Sequence, residues 1–459
     1  MSKTEKKKKK KKWLKAVIGI IVVLAAIAAF VFVFSYFSVP GDSSLGTQED
    51  ELLEEEKDSS EISEGIEVSE EADTAEETET SDKSEEEGPA EATIGVTGDI
   101  ILHDAVLESA LNEDGTYDFS ECFEAVSSYW EDVDYMIANL EVTITDDGDY
   151  SGYPYFSSPS AIVSDLKDAG IDCLLTANNH CYDSGDEGIY STLEAIEAEG
   201  LDYTGTRSSS EDSYVIIKDI NGIVFGLVCY TFDTRYSPDD EKSMNGLTLS
   251  DEAGELINSF CYWDLEDFYA RAQESLNEME EAGCDVTIFF MHWGTEYQEE
   301  PNDYQTQIAQ GLSDLGVDVI VGSHPHVVQE FDVLTGESGN ETLVLYSMGN
   351  ALSNQRRDEV ESVPDGYTED GVIFELTYTE NESGEVELTE IYILPTWVEL
   401  NEGSYSIVPL DYKIAPESWT VYDTEEAEAS YNRTLERLGE IYPSLRLELG
   451  NEEVLQTLD

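Results

Sequence analysis

The chain has 459 residues, with 102 Asp or Glu against 23 Lys or Arg, for a formal net charge of -79 at pH 7. Such an acidic balance excludes nucleic acid as a partner, because phosphate recognition needs a basic face. Length alone suggests about three domains, but the composition is too uneven for that many.

Lys3, Lys6 to Lys12 and Lys15 make the first 15 residues a basic, cytoplasmic segment. Residues 16–34 then carry no charge, and 35–37 extend the run. About 20 apolar residues cross a bilayer as a helix, and a positive flank keeps its side cytoplasmic. The expectation is an uncleaved signal anchor at 16–37 in the cell membrane, single-pass, with the C-terminal domain extracytoplasmic and the lipid bilayer as a partner. A cleaved signal peptide is the alternative. No cysteine lies near the end of the run, so a lipoprotein anchor is not expected. Residues 41–92 are rich in Glu, Asp, Ser and Thr with almost no aromatics. They cannot bury enough apolar surface to offset their ordering entropy, and they read as an acidic disordered stalk.

The folded part begins with a strand at 93–97. A helix is expected at 120–130 with Ser120 as N-cap, a strand at 135–138, and a helix at 160–169 ended by Gly170. A strand at 171–176, a helix at 185–199 and a short strand at 203–204 follow. Asn221-Gly222 between 214–218 and 223–230 is a hairpin signal. Residues 237–262 show little periodicity and read as a flap. A helix at 264–282 stops at Gly283, a strand fills 286–291, a helix 303–315 and a strand 319–321. Strands at 343–347, 372–379 and 387–394 and a helix at 424–438 complete the series. Strand–helix alternation followed by hairpins implies an α/β sandwich with mixed sheets. The folded domain spans 93–400, and 401–459 is an extension packed on it or continuing it. Cys173, Cys229 and Cys284 sit in or beside apolar runs and read as core residues, not as a disulfide scaffold.

The chemistry collects after the strands. All five histidines, His103, His180, His292, His324 and His326, follow an apolar run, as do Asp99 and Glu141, and Asn179 precedes His180. Sites in open α/β sheets form outside the carboxyl ends of the strands. His324 and His326 sit two apart, and in extended backbone they would face one point, with Gly322 ending the strand and turning the chain. Imidazoles, carboxylates and an amide without thiolate suit Mn, Fe or Zn. Other residues have two readings. Asp183 orients His180 or caps the helix after it. Glu296 is a partner of His292 or a bystander. Trp293 packs rather than stacking on substrate. Asn350 touches substrate or holds its turn. Arg207, Arg356 and Arg357 clamp an anion or lie on the surface.

Gly98-Asp99, Asn139-Leu-Glu141, Ala177-Asn-Asn-His-Cys-Tyr-Asp183, His292-Trp-Gly-Thr-Glu296, Gly322-Ser-His-Pro-His326 and Ser347-Met-Gly-Asn350 resemble, in order, the motif series of the CapA family of poly-γ-glutamate capsule synthesis proteins. That family is similar to calcineurin-like metallophosphatases. The resemblance implies a four-layer α/β/β/α sandwich with mixed sheets (metallophosphatase-like), here preceded by one transmembrane helix, and two divalent metal ions. It implies Glu141 as the bridging ligand, Asn179, His292 and His324 with it on one metal, Asp99 and His326 on the other, and His180 as general acid. One departure stands out. The phosphatase pattern has a His two residues after the first Asp, where this chain has Ile101; His103 comes four after. The resemblance implies a role in synthesis, export or processing of a surface polymer such as poly-γ-glutamate or a wall component. The chain would be a metal-dependent hydrolase, or a non-catalytic partner of membrane-bound polymer synthase subunits. A general metallophosphoesterase is the third reading.

Overall fold

The computed structural model describes residues 89–450 apart from 147, 236, 238, 239, 361, 362 and 364. The expected cytoplasmic segment, membrane span and nearly all of the stalk lie outside these residues. Among the described residues no helix is long and apolar enough to cross a membrane.

Two mixed sheets stack face to face. In the first, the strands lie in the order Ser404–Pro409, Val386–Asn401, Asp370–Glu380, Glu91–Ile100, Tyr135–Leu140, Cys173–Leu175 and Asp202–Thr204, and Asn350–Leu352 also pairs with Glu91–Ile100. The last four in that row are parallel to one another, while the first three join by antiparallel pairing. The second sheet has Ser259–Phe260, Ile223–Phe232, Val286–His292, Val319–Ser323 and Glu341–Leu345 in parallel, with Phe331–Thr335 and Ile216–Ile220 antiparallel at its margins.

Alternate side chains on each strand face opposite sides, and here both sides are apolar. Ile94, Val96 and Ile137 of the first sheet meet Leu227, Ile288, Phe290 and Val321 of the second in one buried cluster. The outer face of the first sheet, with Met136, Ala138 and Leu394, is covered by Val106, Phe123, Trp130, Ile162 and Leu166. The outer face of the second, with Val228, Phe289 and Ile320, is covered by Phe268, Ala272 and Met279 of helix Leu265–Ala282 and Ile308 and Leu312 of helix Asp303–Leu315. The layers therefore run helix, sheet, sheet, helix. Strands buried on both faces read as continuous apolar runs, which is why their positions are visible in the sequence. The six cysteines are free, five of them buried.

Some expected elements differ. The helix at 120–130 is two single turns, Ser120–Phe123 and Ser127–Trp130. Ser127 directs its hydroxyl to the Glu124 carbonyl, a local bond that competes with helix continuation. Ser120 caps nothing; Phe119 occupies the N-cap position. The Asn221-Gly222 hairpin is present, with φ of 53° and 93°. Helix Asp104–Ala110 and strands Phe331–Thr335, Asn350–Leu352 and Ser404–Pro409 had no expectation. The flap region contains a small hairpin, Ser243–Met244 with Leu247–Thr248, a turn of helix at Ala253–Leu256, and a strand that joins the second sheet. Beyond residue 400, Ser404–Pro409 extends the first sheet. Helix Thr424–Leu438 packs Ala427 and Tyr431 against Trp397 and Val408.

Candidate metal centre

Neighbouring strands of both sheets end at one place. Asp99 lies in Glu91–Ile100 between Asn139 and Asn350 of the flanking strands. The pairing shifts register on both sides of Asp99, a bulge that re-aims its side chain. Gly98 makes this possible, since a Cβ there would sit 2.1 Å from the Gly349 carbonyl. Glu141 follows Tyr135–Leu140, Asn179 follows Cys173–Leu175, and His292 closes Val286–His292.

His324 and His326 reach the site differently from the sequence expectation. Gly322 does not turn the chain. It lies inside the strand, where a Cβ would sit 2.0 Å from the Tyr346 carbonyl and 2.5 Å from Trp293 Nε1. The turn is made by the histidines themselves, with φ of 95° and 58°. Extended backbone does not aim them. Non-glycine residues held at positive φ carry strain that surrounding structure must sustain, and His324 carries it directly before Pro325, where extended backbone is preferred.

The atoms converge closely. Glu141, His324 and His326 form one group of possible ligands, and Asp99, Glu141 and His292 another, each with its ligand atoms within 4.8 Å of one another. Glu141 belongs to both, although the groups divide the histidines differently from the division the resemblance implies. His292 Nε2 is 2.7 Å from Asn179 Oδ1 and 3.5 Å from Glu141 Oε1, while its Nδ1 is 2.9 Å from Ser323 Oγ. His326 Nδ1 faces two acceptors, Asp99 Oδ2 at 3.0 Å and Asn350 Oδ1 at 3.1 Å. Nδ1 therefore carries a proton, and Nε2 points the other way, 3.8 Å from Glu141 Oε1. Asn139 donates to Asp99 Oδ1 at 2.7 Å.

Burial dominates the electrostatics. It pushes the Glu141 carboxyl well above the usual range, and the charges of Asp99, Glu296 and Asp183 push it further. Burial, then the other imidazoles, holds His292 and His324 well below 6.5. Neutral imidazoles with free ring nitrogens are metal-ligand forms. Glu141 Oε1, His324 Nδ1 and Asn139 Oδ1 are buried without a hydrogen-bond partner. Buried polar atoms are rarely left so, and this donor set fits a divalent cation.

His180 and Asp183 stand beside this cluster. His180 Nδ1 is 2.6 Å from Asp183 Oδ2. The following helix has Ser184 at its N-cap without a side-chain cap bond, so Asp183 is placed to orient His180 and not to cap. His103 is in neither ligand group. Its Nδ1 accepts the Asn354 N–H at 3.2 Å, so the neutral ring holds its proton on Nε2. Burial, then His326 and His180, lowers its pKa to about 4. His103 thus presents an N–H donor next to the cluster.

A family model described as Bacterial capsule synthesis protein PGA_cap matches residues 93–355, more than half of the chain and nearly all of the residues just placed. The chain belongs to this family. It is 28% identical over 269 residues to capsule biosynthesis protein CapA of Bacillus anthracis, covering 57% of this chain and 60% of that one. It is 27% identical over 276 residues to PGA biosynthesis protein CapA of Bacillus subtilis, covering 59% and 64%. The chain thus spans less than two thirds of either relative. Among solved structures, Haemophilus influenzae NAD nucleotidase superposes with a TM-score of 0.40 at 14% identity, covering 77% of this chain and 64% of that chain.

Other residues of this PGA_cap chain lie away from the centre or act on its walls. Arg207 donates to the Glu255 and Asp212 carbonyls and stacks on Tyr214 at 4.1 Å. Arg356 donates to the Val398 carbonyl and pairs with Glu369. Arg357 pairs with Glu369 and Glu426. All three are occupied with internal partners and do not reach the cluster. Glu296 is exposed and does not bond His292, whose Nδ1 is taken by Ser323. Trp293 is fully buried and donates to the Tyr346 carbonyl. Asn350 is fully buried and holds His326, with its Nδ2 on Gln355 Oε1 and the Thr368 carbonyl. Sequence reasoning missed Asn139, Ser323 and Phe156, whose ring packs edge-on between His103 and His180 at 5.4 and 4.7 Å. Asn139 and Ser323 lie inside the motifs, but each holds a ligand from a different motif, Asp99 and His292.

Proposed function

We propose that the chain is an extracytoplasmic, membrane-anchored accessory protein of capsule or polyglutamate synthesis. It acts on a surface polymer such as poly-γ-glutamate or a wall component through a hydrolase-like metal site. The names of the relatives support the first part: capsule and PGA biosynthesis in Bacillus, and a probable polyglutamine synthesis accessory protein in Mycobacterium tuberculosis, 25% identical over 231 residues. The observation that carries the hydrolase part is Glu141, buried, partnerless at Oε1, and common to two groups of ligand atoms drawn from both sheets.

Asp99, Glu141, Asn179, His292, His324 and His326 would hold two divalent ions (Mn, Fe or Zn), which when bound supply electrophilic polarisation and a water of lowered pKa. The chain's own residues do the rest. Ser323 and Asn350 fix the rings of His292 and His326 so that Nε2 of each faces the centre. Asp183 holds the proton of His180 on Nδ1, which leaves Nε2 as the atom that exchanges a proton with a leaving group. His103 donates its Nε2–H to an oxygen of the bound group. Since Arg207, Arg356 and Arg357 are committed elsewhere, carboxylates of a polymer would be met by bound cations and not by these side chains.

Metal analysis of the purified full chain, with a screen of generic phosphoesters, tests this reading. Up to two ions per chain are expected, with at least one lost from the His324→Ala/His326→Ala variant. Native protein without metal, melting at the same temperature with and without chelator, would sink it. The anchor is tested apart: the chain should stay with membranes after high-salt washing, and a mature form starting near residue 41 in the medium would contradict it.

A further inference from the structure

Asn245 lies far from every motif in the sequence, in the flap between strands Ile223–Phe232 and Ser259–Phe260 of the second sheet, yet its side chain ends against His180 and Asp183. It is the first residue of the Asn245-Gly246 turn that joins Ser243–Met244 to Leu247–Thr248, with φ of 46° and 77° at the two positions. Two-residue hairpin turns need positive φ at both positions, and Asn-Gly supplies it. The turn is anchored on both sides. Met244 is fully buried against Cys181, Tyr182 and Ile189, and the Gly246 N–H donates to Thr234 Oγ1.

Asn245 Nδ2 has three acceptors in reach: the Pro154 carbonyl at 2.9 Å, Asp183 Oδ1 at 3.0 Å and His180 Nδ1 at 3.2 Å. An amide nitrogen has only two hydrogens. The shortest contact at this junction is His180 Nδ1 to Asp183 Oδ2, 2.6 Å. With the proton on His180 Nδ1 and donated to Asp183, the two amide hydrogens go to Pro154 and Asp183 Oδ1, and every group is satisfied. With His180 Nδ1 bare, its lone pair would face a carboxyl oxygen at that distance. Asp183 Oδ2 also accepts the Phe156 N–H at 2.8 Å. The Asp183 side chain is fully buried, so water does not substitute for these donors.

We propose that Asn245 is a positioning residue of the site: its amide fixes the Asp183 carboxyl, so that His180 keeps its proton on Nδ1, and the same amide ties the 151–156 segment to the flap. Phe156, held by that segment, then packs its ring against His180 and His103. The catalytic consequence rests on the hydrolase reading, whereas the hydrogen-bond arrangement does not.

The test uses the full-length chain with 15N-labelled histidine; five histidines give few signals, and His180→Ala identifies the one concerned. Asn245→Gly removes the side chain and keeps a residue suited to the turn. Asn245→Asp keeps shape and tolerance of positive φ but replaces the donor by an acceptor facing Asp183, and it serves where the glycine variant folds poorly. In the wild type a slowly exchanging, low-field Nδ1–H is expected for His180. In both variants its exchange with water should quicken by about 10-fold or more, and kcat for p-nitrophenyl phosphate in Mn should fall about 10–100-fold, with KM changed less than about twofold. Unchanged protection of the His180 Nδ1–H in both variants would overturn the proposal. If the wild type hydrolyses nothing, the hydrolase reading fails, and the exchange measurement still decides the role of Asn245.

Discussion

Two pairs of buried acids lie at the same end of the first sheet, where Asp370–Glu380 begins and its antiparallel neighbour Glu91–Ile100 finishes, and their neighbours differ. Glu369 and Asp370 are 1% and 2% exposed. Arg357 grips Glu369 with two nitrogens at 2.8 and 3.1 Å, and Arg433 grips Asp370 at 2.7 and 2.8 Å, with Ser430 adding a bond at 2.6 Å. Asp99 and Glu141 are both 0% exposed, yet among the described residues no Arg or Lys pairs with either, only imidazoles and amides. Burying a charge is costly unless it is paired. The first pair is closed by the protein and needs nothing from outside. The second has no such partner, and its donor set fits a cation supplied from outside. A count of acidic residues would not tell the two apart; the identity of the neighbours does.

The sharpest way to break the contrast is to act on each side separately. Glu141→Ala and His180→Ala should each abolish most phosphoesterase activity, the latter by about 10²–10⁴-fold, but only Glu141→Ala should also lower bound metal. In cells, surface polymer amount and chain length at matched protein levels supply the second readout. Wild-type polymer in the His180→Ala strain beside a defect in the Glu141→Ala strain would leave the metals a structural role.

On the closed side, Arg433→Ala should destabilise by about 3–5 kcal/mol in denaturant unfolding, because it strips one partner from a buried ion pair. Metal content of the folded protein should not change. A loss of metal in this variant would show that the two regions are coupled through Thr368 and Asn350. Chelation of the wild type should cost about 4 kcal/mol if the ion is present at 1,000 times its Kd. Arg433→Ala should lose a similar amount on chelation, whereas His324→Ala/His326→Ala should respond less.

The smallest effect concerns pH. Burial, partly offset by Arg433, raises the Asp370 carboxyl from 3.8 to about 6. The folded state then binds a proton more tightly than the unfolded state. This contribution is fully present below the unfolded value, and stability is lost as pH rises through the window from about 4 to 6. At 1.36 kcal/mol per unit it amounts to about 3 kcal/mol. Melting curves of Asp370→Asn should lack that part of the pH dependence; parallel curves for the two proteins would contradict it.

What could be read from the sequence follows the same division. Asp99, Glu141, Asn179 and His292 were visible because each follows an apolar run, and a strand buried on both faces ends where a polar residue must emerge. The backbone that aims His324 and His326 was not visible, since positive φ on histidine before and after a proline is imposed by packing and not by propensity. The partners of Arg356 and Arg357 were hidden by distance along the chain: Glu369 and Glu426 approach only after the strand Asp370–Glu380 and the helix Thr424–Leu438 are in place. Asn245 is intermediate. Its turn is signalled by the same Asn-Gly pair as residues 221–222, but nothing local says that the amide would meet Asp183.

Asp99, Glu141 and Asn179 come from the first sheet, and His292, His324 and His326 from the second. Elsewhere the two sheets meet mainly by side-chain packing, with a few polar ties at one margin, Cys229 N–H to Thr204 Oγ1 and Lys218 to Asp202. A cation gripped from both sides would act as a rivet at one end of the seam. Amide hydrogens near Asp99, Glu141 and His292 would then exchange as one slow unit in the loaded protein and as two independent ones after the ion is withdrawn.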